Sequence, residues 1–316
     1  MIFYSTNKFI TRFRYKSILL FSLICLFLLA GCSSLSSKNI KTGSVKIKNS
    51  DLAKKVGIAI FENKTSFKDR SYEKVFQEYL IGSITGSCSD ILLVKPADAG
   101  YPDFLVKLPI NGTGNIDNLG LAQLGRQAGM NAIVTAEIMG ITGKEEKRGI
   151  LFFKDLRRFI YFQVKIEVYD TQTGVKLIDE RYSEEIEIDE LELELFKKKE
   201  VVSMSEVDDV FLKISEDIGE KICDAVNILP WQGYITSVTE NNIIISSGKK
   251  VGLVPGAVLE VFTTGETIEG VDGHRFCMPG RKTGEVKLTA VYADSCEAVF
   301  YTGSGIMEGC SVKIIK

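Results

Sequence analysis

Few side chains in this 316-residue sequence could carry out chemistry on a substrate. A Ser-His-Asp triad would have to use His274, because the sequence holds one histidine. His274 lies in a glycine-containing loop and no nucleophile motif accompanies it, so we expect an exposed turn residue. The sequence also lacks a G-x-G-x-x-G run and a Walker A run. We therefore predict no catalytic residue, no cofactor site and no enzymatic activity.

Acidic residues offer two weaker candidates for a site. Glu62 and Asp170 follow predicted strands, a position where sites often form in α/β proteins, but plain loop carboxylates explain them more simply. The acidic stretch 184–194 could suggest calcium. Its Glu residues alternate with apolar ones, which fits a half-buried strand or an amphipathic helix better. Without a Cys-x-x-Cys pair either, we predict no metal site.

The first 31 residues have the layout of an export signal. Its basic start holds Lys8, Arg12, Arg14 and Lys16, and an uncharged apolar run follows at 17–30. Such a run matches the core of a signal peptide, at about 7–15 apolar residues, and is too short to span a bilayer as a mature helix. We assign residues 1–31 to a signal peptide.

The sequence Leu29-Ala30-Gly31-Cys32 ends this segment and resembles the lipobox of bacterial lipoproteins. The resemblance implies that the signal is cut before Cys32 and that the Cys32 thiol becomes the lipid attachment site. Several chains, palmitate among them, would give a permanent tether, at about 0.8 kcal/mol per buried CH₂. Ser33 and Ser34 stand where an Asp would favour inner-membrane retention in the lipoprotein family, so the resemblance implies the outer membrane, with the protein facing the periplasm. Residues 32–50, rich in Ser, Lys and Asn, read as a flexible tether.

The remaining composition is that of a globular protein, with 45% apolar and 25% charged residues. Residues 1–31 contain four of the 39 Lys and Arg and none of the 41 Asp and Glu, so their removal leaves a net charge of −6. An acidic protein lacks the basic footprint that nucleic acids require, so no nucleic-acid partner is expected. We interpret the basic clusters Arg157-Arg158 and Lys197-Lys198-Lys199 as solvated loop ends.

Five cysteines remain besides Cys25 in the signal and Cys32: Cys88, Cys223, Cys277, Cys296 and Cys310. Export permits disulfides, and an odd number leaves at least one thiol free or paired between chains. The last three share the C-terminal region. A bridge among them and burial as small apolar side chains both stay open.

Residues 51–229 mix strand and helix signals. Compact apolar runs predict strands at 56–61, 91–94 and 132–138, and period-2 alternation predicts a hairpin at 161–183 around the turn 170–174. Helical spacing predicts helices at 71–83, 119–128 and 205–227. Asp117 and Gly129 suit the caps of the second helix, Ser205 with Asp208 resembles a capping box, and Pro230 ends the third. This order predicts an α/β domain with a mixed sheet.

Residues 230–316 contain strand and turn signals alone. Short strands are expected at 234–238, 243–246, 258–262, 285–292, 297–302 and 311–315. Their spacing predicts a small all-β barrel or sandwich. We therefore place a domain boundary near Leu229, with 51–229 and 230–316 each folding alone.

Three segments of the first domain resemble the curli secretion lipoprotein family and the related domain of the Tol-system translocation protein. They are 56–65 (VGIAIFENKT), 124–138 (LGRQAGMNAIVTAEI) and 162–182 (FQVKIEVYDTQTGVKLIDERY). Asn131 and Ala136 stand where that family usually has Asp and Gly. The C-terminal region, which includes TGEVKLTAVYADSCEAVF, is similar to the C-terminal domain of flagellar assembly protein T, although Cys310 replaces the usual Asp after Gly309. These resemblances imply a non-enzymatic role in envelope assembly or secretion.

Two functions follow as expectations, ahead of an enzyme or a small-ligand receptor, which is the least favoured class. The favoured one is a lipid-anchored module that holds or nucleates a periplasmic assembly through unidentified envelope proteins, with self-association left open. The alternative is a subunit of an oligomeric outer-membrane secretion channel of curli type, which inserts two hairpins per subunit. Membrane strands need about 9–11 residues with an apolar outer face, and the charged segment 144–158 shows no such alternation.

Overall fold

The structure, a computed structural model, describes residues 47–48, 51–68, 71–150, 152–198, 204–240 and 242–315. The predicted signal peptide, Cys32 and most of the tether lie outside these ranges. The described residues belong to one compact unit, Ser44–Lys316. Within them, no helix is both long enough and apolar enough to cross a membrane.

A mixed sheet organises the N-terminal part, as predicted. Its strands are β1 Lys54–Ile58, β2 Glu62–Asn63, β3 Ile91–Val94, β4 Ala132–Ile150, β5 Phe153–Asp170 and β6 Lys176–Ile188. Their order is β3-β1-β4-β5-β6, with β2 beside β4. β1 runs parallel to β3 and β4, whereas β4, β5 and β6 are antiparallel. Parallel pairing needs crossovers, and the helices that follow β1 and β3 supply them.

In the part of the chain that the structure describes, five helices accompany the sheet: α1 Tyr72–Ser87, α2 Asp103–Val106, α3 Asn118–Gln127, α4 Glu190–Lys197 and α5 Met204–Asn227. α1 and α5 form the main core on one sheet face, where the Phe76 and Phe211 rings lie 5.4 Å apart and the Phe162 ring lies 5.6 Å from Phe211. α5 already includes Met204, so Ser205 lies inside the helix and the predicted capping box at its start is wrong.

α3 lies on the opposite face, and both of its predicted caps are confirmed. The Asp117 carboxylate accepts a hydrogen bond from the Gly120 N–H at 3.1 Å. Gly129 has φ +70°, and a Cβ there would lie 1.9 Å from the main-chain oxygen of Ser246. Glycine is therefore needed both for the left-handed conformation and for the close approach of the two segments.

The C-terminal strands close into a barrel, which decides between the two predicted architectures. The barrel strands are β7 Gly233–Val238, β8 Ile243–Ile245, β9 Val258–Phe262, β12 Lys282–Val291, β13 Cys296–Gly303 and β14 Ser311–Ile314. Their order is β12-β13-β8-β7-β14-β9. A separate ribbon of β10 Thr267–Glu269 and β11 Arg275–Cys277 leaves the barrel toward the sheet.

The barrel and the sheet share side chains. Leu52, which precedes β1, is 2% exposed and belongs to the barrel core with Trp231 and Val251. The Asn118 side chain donates to the Arg275 carbonyl at 2.6 Å and accepts from the Arg275 N–H at 3.1 Å. Independent folding of 51–229 and 230–316 stays a prediction, and the barrel fragment would lack Leu52.

The structure decides between the two alternatives that the sequence left open for the C-terminal cysteines. A disulfide joins Cys88, just after α1, to Cys223 in α5. Cys277, Cys296 and Cys310 are free and buried, so no bridge forms among them. Burial raises the pKa of the Cys296 thiol to about 12, which suits a small apolar side chain rather than a reactive one.

Candidate functional site

β4 and β5 continue beyond the edge of the sheet as an unsupported ribbon. β6 ends at Ile188, opposite Arg158, whereas β4 and β5 remain paired as far as Ile150 and Phe153. We call residues 146–150 and 152–157 the projecting hairpin. At about 3.3 Å per residue, it extends roughly 17 Å past the end of β6.

The tip of the projecting hairpin is apolar and exposed. Ile150, Phe152 and Phe153 are 80%, 96% and 86% exposed. A two-stranded ribbon is marginally stable in water, and clustered exposed apolar side chains mark interaction surfaces. The tip is therefore suited to a contact that buries it.

Ion pairs hold the base of the hairpin. Arg148 donates to Glu146 at 2.9 Å and to Glu185, and its guanidinium lies 3.8 Å from the Phe159 ring centroid. The hydrogen bonds to Glu185 and Glu146 raise the pKa of Arg148. Arg157 pairs with Glu187 at 3.2 Å. These pairs are exposed to solvent, which screens them, so they orient the ribbon more than they stabilise it.

Two lysines beside the tip lack such partners. Lys147 and Lys154 are exposed and make no ion pair with the described residues. Lys147 lies opposite Leu156, and Lys154 lies opposite Gly149, so both lysines share one face of the ribbon. The tip thus combines an apolar end with an unpaired basic rim.

A second feature is a cavity of about 410 Å³ against the sheet face opposite α1 and α5. One wall is apolar and includes Ile60, Leu108, Ile110 and Ile116. The other wall consists of outward-facing residues of the strands, including Thr135, Glu137, Lys165, Glu167, Lys176 and Asp179. His274 from the β10–β11 ribbon completes the rim.

Glu167 is the centre of the charged wall. Its Oε1 accepts from Lys165 Nζ at 2.7 Å and Lys176 Nζ at 2.6 Å, and its Oε2 accepts from the Tyr169 hydroxyl at 2.9 Å. Burial alone would raise the pKa of Glu167, but the hydrogen bonds from the two lysines outweigh it and leave the pKa below its ordinary value. Glu167 is therefore ionised and held rigidly at neutral pH.

The site residues that the sequence suggested lie in different places. Glu62 lines the cavity, and half-buried His274 lies in a turn on its rim. Asp170 lies elsewhere and holds the β5–β6 turn, because its carboxylate accepts from the Gln172 N–H at 3.0 Å and the Thr173 N–H at 3.2 Å. In the described ranges, no group of three or more His, Cys, Asp or Glu could hold a metal ion. Cys32 lies outside those ranges.

The charged segments also differ from expectation. Arg157 and Arg158 lie within β5, so their interpretation as a loop end is wrong. Lys197 ends α4, Lys198 caps it, and Lys199 lies outside the described residues. The stretch 184–194 contains both a strand and a helix, the two alternatives predicted for it. β6 reaches Ile188, and α4 begins after a capping box of Asp189 and Glu192.

The sequence matches no family model and no curated protein. Similar solved structures include lipoprotein GNA1162 from Neisseria meningitidis, the PelC dodecamer from Paraburkholderia phytofirmans and TolB from Acinetobacter baumannii. Their identities to this chain are 10%, 11% and 13%, and their TM-scores are 0.28, 0.27 and 0.27. In the same order, the matches cover 46%, 55% and 78% of this chain. They cover 94%, 92% and 57% of the lipoprotein, PelC and TolB chains. The similar structures thus include a bacterial lipoprotein.

Proposed function

We propose that this protein is a non-enzymatic, lipid-anchored envelope module that serves a secretion or flagellar-type assembly. Cys32 attaches it to the outer membrane, and the folded part faces the periplasm. Its partner is a second envelope protein, which it contacts through the projecting hairpin. The observation that carries the proposal is the exposed tip of Ile150, Phe152 and Phe153.

Two features support an exported location. The lipobox ending in Cys32 follows a complete signal layout. The pairing of Cys88 with Cys223 agrees with it, because disulfides persist in oxidising compartments such as the bacterial periplasm and are rare in the cytosol.

The position of the tip favours a partner away from the anchoring membrane. Val56 of β1 pairs with Ala132 at the start of β4, so Asp51 lies at the opposite end of the sheet from the tip. β4 alone spans up to roughly 60 Å. Ile47 packs against the barrel core, so a flexible tether extends at most over 32–46. Such a tether averages roughly 21 Å end to end, so it would hold the β1 end near the membrane and leave the hairpin in the periplasm.

The chemistry of the tip specifies the partner's surface. Phe152 and Phe153 require an apolar recess, since aromatic anchors in pockets dominate binding energy. Lys147 and Lys154 require acidic groups at its rim. We therefore expect the partner to present an apolar recess with carboxylates around it.

The second candidate is a subunit of a curli-type outer-membrane channel. The projecting hairpin favours it, because such a channel inserts hairpins into the membrane. A lipid-facing strand needs about 9–11 residues with an apolar outer face. Glu146, Arg148 and Arg157 charge one face of this ribbon, and Lys147 and Lys154 charge the other. Among the described residues of the hairpin, the exposed apolar side chains are those of the tip and Leu156, which speaks for contact with a protein recess rather than membrane-spanning strands.

Purification from crosslinked envelopes tests the proposal. Wild-type protein should retain a specific partner that the double variant Phe152→Ser, Phe153→Ser loses, while both remain membrane-bound. The double variant Val271→Ser, Ile228→Ser changes two other exposed apolar residues and is the matched control. Equal recovery of the same proteins with all three forms would contradict a role for the hairpin.

A further inference from the structure

The cavity beside Glu167 is independent of the projecting hairpin and has its own chemistry. We propose that it binds a primary ammonium group carried on an apolar body, such as the amino terminus of a peptide that begins with an apolar residue. Glu137 would receive the ammonium group, and the wall that contains Ile60 and Ile110 would receive the apolar body.

The charges around the cavity leave one carboxylate in excess. Four carboxylates line it, and three ammonium groups oppose them: Glu62, Glu137, Glu167 and Asp179 against Lys64, Lys165 and Lys176. A single positive charge from a ligand would balance the site.

The existing ion pairs identify which carboxylate is available. Lys165 and Lys176 both bind Glu167, and Lys176 also pairs with Asp179 at 2.9 Å. Lys64 pairs with Glu62. Glu137 makes no hydrogen bond or close ion pair with any residue that the structure describes. Lys64 interacts with it electrostatically at longer range, and Lys165 lies directly across from it in the strand register.

A second unpartnered group lies next to Glu137. Thr135 is 5% exposed, lines the same cavity, and its hydroxyl makes no hydrogen bond with the described part of the chain. Residues two apart in a strand share a face, so the Thr135 hydroxyl and the Glu137 carboxylate both face the cavity. The Thr135 hydroxyl lines the cavity, so it can accept a hydrogen bond from an N–H donor of a ligand.

The ligand class follows from these groups. A calcium ion would need six to eight oxygen ligands, whereas Glu137 is one carboxylate. An ammonium group instead donates three hydrogen bonds, which the Glu137 oxygens and the Thr135 hydroxyl can accept. The volume of about 410 Å³ lies within the range of small-ligand pockets, and its apolar wall suits an aliphatic side chain.

Calorimetric titration of the mature chain carrying Cys32→Ser tests this inference with two probes. The first is the dipeptide amide Leu-Leu-NH₂, and the second is its N-acetylated form, which differs by the loss of the ammonium charge. We expect the free amine to bind at least about tenfold more tightly than the acetylated probe. Higher salt should reduce that difference.

Variants then locate the site. Glu137→Gln keeps the side-chain shape and should weaken binding of the free amine about tenfold while leaving the acetylated probe unchanged. Thr135→Val should cause a smaller loss. Glu308→Gln, which changes an exposed carboxylate without a described partner, should have no effect. Circular dichroism of each variant checks that it is folded.

Two results would overturn the inference. One is the absence of binding of the free-amine probe up to about 10 mM. The other is equal binding of the free and acetylated probes. Because the hairpin is not involved, loss of the envelope partner in the hairpin variants would leave this test unaffected.

Discussion

The side-chain amide of Asn131 donates a hydrogen bond to the main-chain carbonyl of Gln232, with 2.9 Å between Nδ2 and the oxygen. The Asn131 Oδ1 accepts from the Lys55 N–H at 3.1 Å. One buried side chain therefore connects β1 to the segment that enters the barrel. An Asp at this position, as in the families that the sequence resembles, could accept from Lys55 but could not donate to Gln232.

Asn131→Asp should lower the free energy of unfolding by about 2–3 kcal/mol at pH 7. The change buries a charge and sets a carboxylate oxygen against the Gln232 carbonyl, which leaves that carbonyl without its donor. Urea unfolding measures the loss. Gln123→Glu makes the same chemical change on the exposed side of α3 and should alter stability by less than about 0.5 kcal/mol.

Removal of the Cys88–Cys223 disulfide should destabilise the fold by about 2–5 kcal/mol, because it closes a long loop, with a sequence separation of 135. Thiol titration of the denatured Cys32→Ser mature chain checks the pairing. Without reductant, it should give the three thiols of Cys277, Cys296 and Cys310. Cys88→Ala with Cys223→Ala should leave this thiol count unchanged, whereas a count of one would show that the C-terminal cysteines had paired.

Glu167→Gln should destabilise the protein by about 1–3 kcal/mol at pH 7, since it weakens the hydrogen bonds from Lys165, Lys176 and Tyr169. The folded-state pKa of Glu167 is depressed, so the ionised carboxylate contributes stability above its unfolded pKa of about 4.3. That contribution is lost as the pH falls through the folded pKa. The difference between wild type and variant should therefore be largest near neutral pH and shrink below about pH 4, as followed by thermal unfolding.

Periodicity predicted most of the fold, because the core residues keep a strict spacing. The alternation of Phe162, Val164, Ile166 and Val168 located β5, and it also assigned Lys165 and Glu167 to the opposite face, where the cavity lies. The ends of β4 and β5 were missed for a physical reason. Both faces of the projecting hairpin are solvated and charged, so no apolar period marks the strands there.

The cavity and the disulfide also depend on distant contacts. The cavity brings together Glu62, Glu137 and His274. These residues meet through the crossover after β1 and through the β10–β11 ribbon, and local sequence spacing does not predict such contacts. Cys88 and Cys223 lie far apart in sequence, and only the packing of α1 against α5 brings them together. Sequence spacing therefore left the pairing of the cysteines open.

Cys32→Ser should abolish lipid attachment and leave the protein unprocessed or released from the membrane. The thiol is the acylation site that the lipobox implies, and lipid chains account for the tether. Labelling cells with a fatty-acid analogue measures this directly. Equal labelling of wild type and Cys32→Ser would contradict the lipoprotein assignment.

The most direct test of the central claim is photo-crosslinking in intact cells from a benzoylphenylalanine placed at Phe152. A control protein carries it at Ile228, which is similarly exposed, at 82% against 96%. We predict a discrete adduct with a second envelope protein from position 152 alone, and its loss when Lys147→Glu and Lys154→Glu reverse the basic rim. Adducts that are the same at both positions, or that contain lipid or a second copy of this chain instead, would contradict the claim that the projecting hairpin docks onto a partner protein.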